Sequence, residues 1–133
     1  LQDSLESQLG GPPYGQSFRY WLEYAPAFNA SRVKSPLLME YTSEGGAFDE
    51  PVDAYEFFTA LKRQGKAVEL HFYPRGLHQL DTPLERLTSL QLNVDWFRFW
   101  LQGYERPGAV DQYARWHALR AQTENRRELN STN

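Results

Sequence analysis

His78 stands out by its surroundings. It lies in "FYPRGLHQLDTP", residues 72–83, past a strand-like run and before a capped helix. Imidazole is the side chain most readily used for proton transfer near neutral pH. Open α/β sheets build their sites beyond the carboxyl ends of their strands. A second stretch has complementary chemistry. "TSEGGAFDE" (42–50) is rich in glycine and carboxylates, and it too follows a strand-like run. A carboxylate that accepts the Nδ1 proton of a histidine fixes its tautomer and leaves Nε2 to work as a base. The pair still needs an attacking group. The chain has no cysteine and no GxSxG elbow. Ser17 in "GQSF" comes nearest, but no strand precedes it.

The elements that must position these loops are readable. "SPLLMEY" (35–41) is a short apolar run opened by Ser-Pro and predicts a strand. Pro51 suits the first position of a helix, with Asp49 or Glu50 near its cap. Val52, Tyr55, Phe58 and Leu61 give that helix an apolar face, and Gly65 ends it. "AVELHFYP" (67–74) predicts a second strand, stopped by Pro74. Thr82, Pro83 and Glu85 then spell a capping box. Leu84, Leu87, Leu90, Val94, Phe97 and Leu101 follow at helical spacing up to Gly103. Tyr113, Trp116 and Leu119 mark a further amphipathic helix in the tail.

Strand, loop, helix, strand, turn, helix is the βαβ order of a parallel sheet. It sets the acid loop and the His78 turn side by side. Two parallel strands do not make a stable sheet alone, because such sheets are covered on both faces. The aromatic content, 4 Trp, 8 Tyr and 8 Phe, demands a large core or interface. The α/β-hydrolase fold runs nucleophile, acid, histidine. The expectation is therefore an α/β chain forming the C-terminal portion of an α/β-hydrolase fold, a parallel sheet flanked by helices and incomplete on its own. Residues 1–103 would be that part of the catalytic domain and 104–133 a helical tail.

Composition narrows the function. A net charge of −3 and a pI of about 5.6 provide no basic field for nucleic acid or an acidic membrane surface. No apolar run approaches the roughly 20 residues of a membrane span. No His/Asp/Glu cluster has metal spacing and "GGPP" lacks the Lys-Ser/Thr of a phosphate loop, so no metal or cofactor is expected. The opening "LQDSLESQLGG" has no basic start and no apolar stretch, and does not begin with Met. It reads as a piece of a longer, soluble chain, cytoplasmic or periplasmic.

The run from Ser35 to Gln102, with "FFTALKRQGKAVELHFYPRGLH" and "WFRFWL" at its heart, resembles the C-terminal part of the catalytic domain in the prolyl oligopeptidase family of serine hydrolases. "GGPP" and the approach "SPLL" fit as well, so the resemblance covers roughly residues 8–103. It implies hydrolysis of an amide or isopeptide bond through an acyl-enzyme. The serine would lie on the remainder of the polypeptide, together with a β-propeller, and His78 would be the base. The family's "HGxxDxxVP" is replaced here by "YTSEGGAFDEPV", which puts Gly46 at the acid position. Asp49 is the nearest carboxylate able to take over, ahead of Glu50 and Asp53, although an Asp before "EP" also serves as a plain helix cap. Such a rearranged loop looks like that of the lasso-peptide isopeptidases, which would make the partner a threaded lasso peptide. The alternatives are a dipeptidyl or acylaminoacyl peptidase, an esterase, or a non-catalytic α/β binding module.

Other candidates have blander readings. His71 alternates within a strand and reads as structural, and His117 as surface. Glu40 and Glu44 rank below Asp49, with Glu44 facing substrate if it acts at all. Trp96, Phe97, Phe99 and Trp100 read as helix-to-sheet core. "FRYWLEY" (18–24) fits either core or the approach to the site.

Overall fold

The computed structural model describes residues 6–42, 51–76 and 79–131, without the side chains of 51–53, 127, 130 and 131. Strands β1 (Leu37–Thr42) and β2 (Val68–Tyr73) pair in parallel, in register from Leu37 opposite Val68 to Thr42 opposite Tyr73. Before them come helix α1 (Phe18–Tyr24) and a 3₁₀ segment, Ala27–Arg32. Helix α2 (Pro51–Arg63) crosses between the strands, α3 (Pro83–Gln102) follows β2, and α4 (Val110–Ser131) closes the chain.

Local chemistry sets the boundaries. Pro51 opens α2, where a missing N–H costs nothing. Gly65 closes it at φ 66°, with the Lys66 amide donating to the Leu61 carbonyl. Thr82 caps α3. Its hydroxyl accepts from the Glu85 amide at 3.4 Å and donates to the Glu85 carboxylate at 2.7 Å. Gly103, left-handed at φ 69°, ends that helix.

Two cores hold the layers. Leu61 of α2 and Val68 of β2 bury Ala30, with Val33, Leu37, Met39, Phe57 and Phe58 around them. On the other side, Leu92, Trp96 and Phe99 of α3 meet Tyr113 and Trp116 of α4, with Leu38 of β1 alongside. Trp96 and Trp116 pack edge to face at 5.2 Å, the geometry aromatic quadrupoles favour. Asp95 is fully buried beside this cluster and paired with Arg106 at 2.9 Å.

Three sequence expectations change. Trp96 and Phe99 are core, but they pack mainly against α4, and Phe97 is exposed. In α2 the covered positions are Ala54 and Leu61, while Tyr55 stands out and touches Phe58 at 5.9 Å between ring centroids. The leucine spacing of α3 is a second stripe, facing away from the core. Leu84 and Leu101 are 74% and 78% exposed, and Leu87, Leu90, Val94 and Phe97 are exposed between them. Residues 92, 96 and 99 lie on one helical face and the leucines on another. The aromatic face has α4 to pack against.

Candidate functional site

The strand register brings the starting points of the two candidate loops together. Thr42 is the last residue of β1 and lies opposite Tyr73, the last of β2. The chain leaves both strands at the same edge. Residue 76 then tightens the junction. Gly76 is buried, and its amide donates to the Tyr73 carbonyl at 3.3 Å. A Cβ built there would sit 2.5 Å from Thr42 Cγ2 and 2.9 Å from Thr42 Cβ. The turn leading to His78 therefore rests directly on the residue that opens the acid loop. Beyond the turn, the Arg86 guanidinium donates to the Leu80 carbonyl.

A carboxylate ties this edge to α3. Glu40 of β1 accepts the Tyr73 hydroxyl at 2.6 Å, Ser89 Oγ at 3.1 Å and Asn93 Nδ2 at 2.6 Å. Three donors from two elements hold one carboxylate. Burial, reinforced by the hydrogen bond to Glu40 and its negative charge, pushes the Tyr73 phenol far above its ordinary range. Tyr73 is thus a fixed neutral donor. Sequence reasoning ranked Glu40 low as a triad acid, and its partners make it a structural tie. The readable signal was a charge inside an apolar strand, which must find partners.

Glu69 forms a second carboxylate centre, on β2. Its Oε1 meets His71 Nε2 at 2.6 Å and its Oε2 accepts Trp116 Nε1 at 2.5 Å. Burial works to raise this carboxyl, but His71, Trp116 and Arg115 together hold it below the usual range. His71 is thus spent on a structural contact. His117 pairs with Glu105 at 2.6 Å and stays largely exposed.

His78 and Asp49 lie outside the described residues, as do Glu44, Gly46 and Glu50; Asp53 falls in the first turn of α2 with its side chain undescribed. In "FRYWLEY", Phe18, Tyr20, Leu22 and Tyr24 are exposed, and Trp21 donates to the Gly11 carbonyl at 2.9 Å. Among the described residues no group of three or more His, Asp or Glu is gathered as metal ligands, and no helix is long and apolar enough to cross a membrane.

The parallel βαβ unit, with a helix after its second strand and the carboxyl ends of both strands at one edge, is part of an α/β-hydrolase fold. The chain is 40% identical over 104 residues to the lasso peptide isopeptidase AtxE2 of Asticcacaulis excentricus. That span is 77% of this chain and 14% of the relative. Apo AtxE2 isopeptidase superposes over 85% of the chain, and 16% of its own, with a TM-score of 0.72 at 36% identity. A serine-to-alanine variant of AtxE2 with Astexin3-dC4 bound matches 77% of the chain, and 15% of its own, with a TM-score of 0.69 at 38% identity. No family model matches. The chain is thus homologous to part of a lasso peptide isopeptidase, and the resemblance read from "FFTALKRQGKAVEL" and "YPRGLH" is borne out.

Proposed function

We propose that this chain supplies two members of a catalytic triad to an isopeptidase acting on threaded lasso peptides. Residues 1–103 are the C-terminal part of its α/β-hydrolase domain, and 104–133 a tail whose helix docks on it. A serine on another segment attacks the carbonyl of the isopeptide bond. His78 Nε2 takes the serine proton as the new C–O bond forms. The tetrahedral intermediate collapses, the C–N bond breaks, and His78 returns the proton to the leaving amine. Water then adds to the acyl-enzyme by the same route in reverse. Asp49 accepts the His78 Nδ1 proton and stabilises the imidazolium.

The observation that supports this reading is the close approach of Gly76 to Thr42 at the shared edge of β1 and β2, where the segments that run on to Asp49 and to His78 begin. The 40% identity to a lasso peptide isopeptidase supports the substrate class. The peptide-bound serine-to-alanine variant of that relative supports a serine nucleophile.

The test is steady-state cleavage of a lasso peptide by the full-length protein. His78→Ala should lower kcat by roughly 10⁴-fold or more with the fold retained. Asp49→Asn should lower it by a comparable order and Glu50→Gln far less. Near-native turnover in His78→Ala would remove it as the base. A larger loss in Glu50→Gln than in Asp49→Asn would reassign the acid.

A further inference from the structure

At the amino ends of β1 and β2, opposite the candidate site, a cleft of about 530 Å³ opens between residues 33–36, the turn 64–67 and the second half of α4. Four cationic side chains line it, Lys34, Lys66, Arg120 and Arg126, against one carboxylate, Glu124. The chain as a whole carries a net charge of −3, so this local excess of positive charge runs against its composition.

Three of these cations are fixed by backbone carbonyls. Lys66 Nζ donates to the Ser31 carbonyl at 2.8 Å, Arg120 Nη2 to Phe99 at 2.8 Å and Arg126 Nη1 to Arg63 at 2.9 Å. None of the three forms a salt bridge among the described residues. A carbonyl fixes an ammonium or guanidinium without neutralising it. Arginine carries five N–H donors and lysine three, so each group keeps donors for a further acceptor. Arg120 is also stacked, its guanidinium 4.1 Å from the Phe99 ring centroid and 5.0 Å from that of Trp100. Arg126 lies so close over Gly65 that a side chain there would collide with it.

Clustered, ordered cations repel one another, and an anion relieves that repulsion. Their order also lowers the entropy lost when a ligand docks. The volume falls within the roughly 300–1,000 Å³ usual for small-molecule sites. We propose that this cleft binds a small molecule bearing two or more oxyanion groups, phosphates or carboxylates, between Lys66, Arg120 and Arg126. Guanidinium forks match either group in bidentate fashion.

The experiment is calorimetric titration of the full-length protein at low salt, with pyrophosphate and separately with citrate. One of the two should bind, and Lys66→Gln and Arg126→Gln should each weaken that binding by roughly tenfold or more, as expected for losing a charge-assisted bond. Glu124→Gln, which removes the opposing carboxylate from an exposed position, should tighten it. Tighter pyrophosphate binding identifies a phosphorylated ligand, and tighter citrate binding a polycarboxylate. No binding of either anion, or binding that all three variants leave unchanged, overturns the proposal.

Discussion

Replacing Gly76 with alanine tests whether the junction of the two loops governs activity. The added Cβ would stand 2.5 Å from Thr42 Cγ2, 2.9 Å from Thr42 Cβ and 3.1 Å from Leu80 Cδ2. Carbon atoms rest at about 3.5–4.0 Å, so the turn or the end of β1 must move by on the order of 1 Å. If the strain is absorbed in place, overpacking of this kind costs about 1–3 kcal/mol. If the turn moves, then on the proposed function the cost falls on catalysis, where a misplacement of about 1 Å lowers the rate by roughly 10²-fold. The assay is kcat for lasso-peptide cleavage by the full-length protein, with thermal unfolding measured alongside. Gly76→Ala should lose activity out of proportion to its stability. Thr42→Ser deletes Cγ2, the nearest obstacle, so the double variant should recover part of the loss while Thr42→Ser alone stays near wild type. A Gly76→Ala protein with native kcat, or a loss that Thr42→Ser leaves untouched, would refute the reasoning that this contact aligns the two loops.

Two carboxylates tied into the fold, half-buried Glu40 and buried Asp95, give further expectations. Glu40→Gln leaves one acceptor facing the donors of Tyr73, Ser89 and Asn93. It should destabilise the protein by about 2–3 kcal/mol and lower kcat more than it changes KM, measured by unfolding and steady-state kinetics on the same preparation. For Asp95, burial favours the neutral acid, but bonds from Arg106, Gln112 and Gln91 outweigh it and hold the carboxyl below its usual range. A depressed folded-state pKa contributes stability that is complete above the unfolded value of about 3.9 and lost as pH falls through the folded one. Asp95→Asn should therefore lower Tm at neutral pH and flatten its decline below about pH 4, as read from melting curves of both proteins across that range.

What was legible in the sequence was local. Pro51, Gly65, Thr82–Pro83–Glu85 and Gly103 fix helix ends through their own backbone chemistry, and each stands where its type demands. The strands were legible because "LLMEYT" and "VELHFY" are apolar-rich runs bounded by breakers. The faces of α3 were less legible. Its sequence carries two apolar stripes, and which one is covered here is decided by α4, a partner distant along the chain. Tyr55 misleads for a similar reason: it has the right spacing, but Ala54 and Leu61 meet the neighbouring layer. The tie at Glu40 draws on Tyr73, Ser89 and Asn93, up to 53 positions away; only the oddity of a carboxylate in an apolar strand hinted at it. For the candidate site, the strand ends that launch both loops were legible, while His78 and Asp49 lie outside the described residues.

The second stripe of α3 has a physical meaning of its own. Leu84, Leu87, Leu90, Val94, Phe97 and Leu101 stand exposed along five turns of one helix. Burying a large aliphatic or aromatic side chain contributes about 1.5–3 kcal/mol. Six of them together match the whole net stability of a typical domain, roughly 5–15 kcal/mol. Phe72 of β2 is exposed as well, on a sheet that has two strands among the described residues, the arrangement least able to stand uncovered. The chain spans 14% of its curated relative. On the proposed reading, α3 is a helix with two partners: α4 covers its aromatic face, and the remainder of the α/β-hydrolase domain covers its leucine face. That seam would carry the serine-bearing segment to the edge where Thr42 and Gly76 meet. The apolar stripe and the proposed divided triad would then have one cause, a catalytic domain of which this chain holds one part.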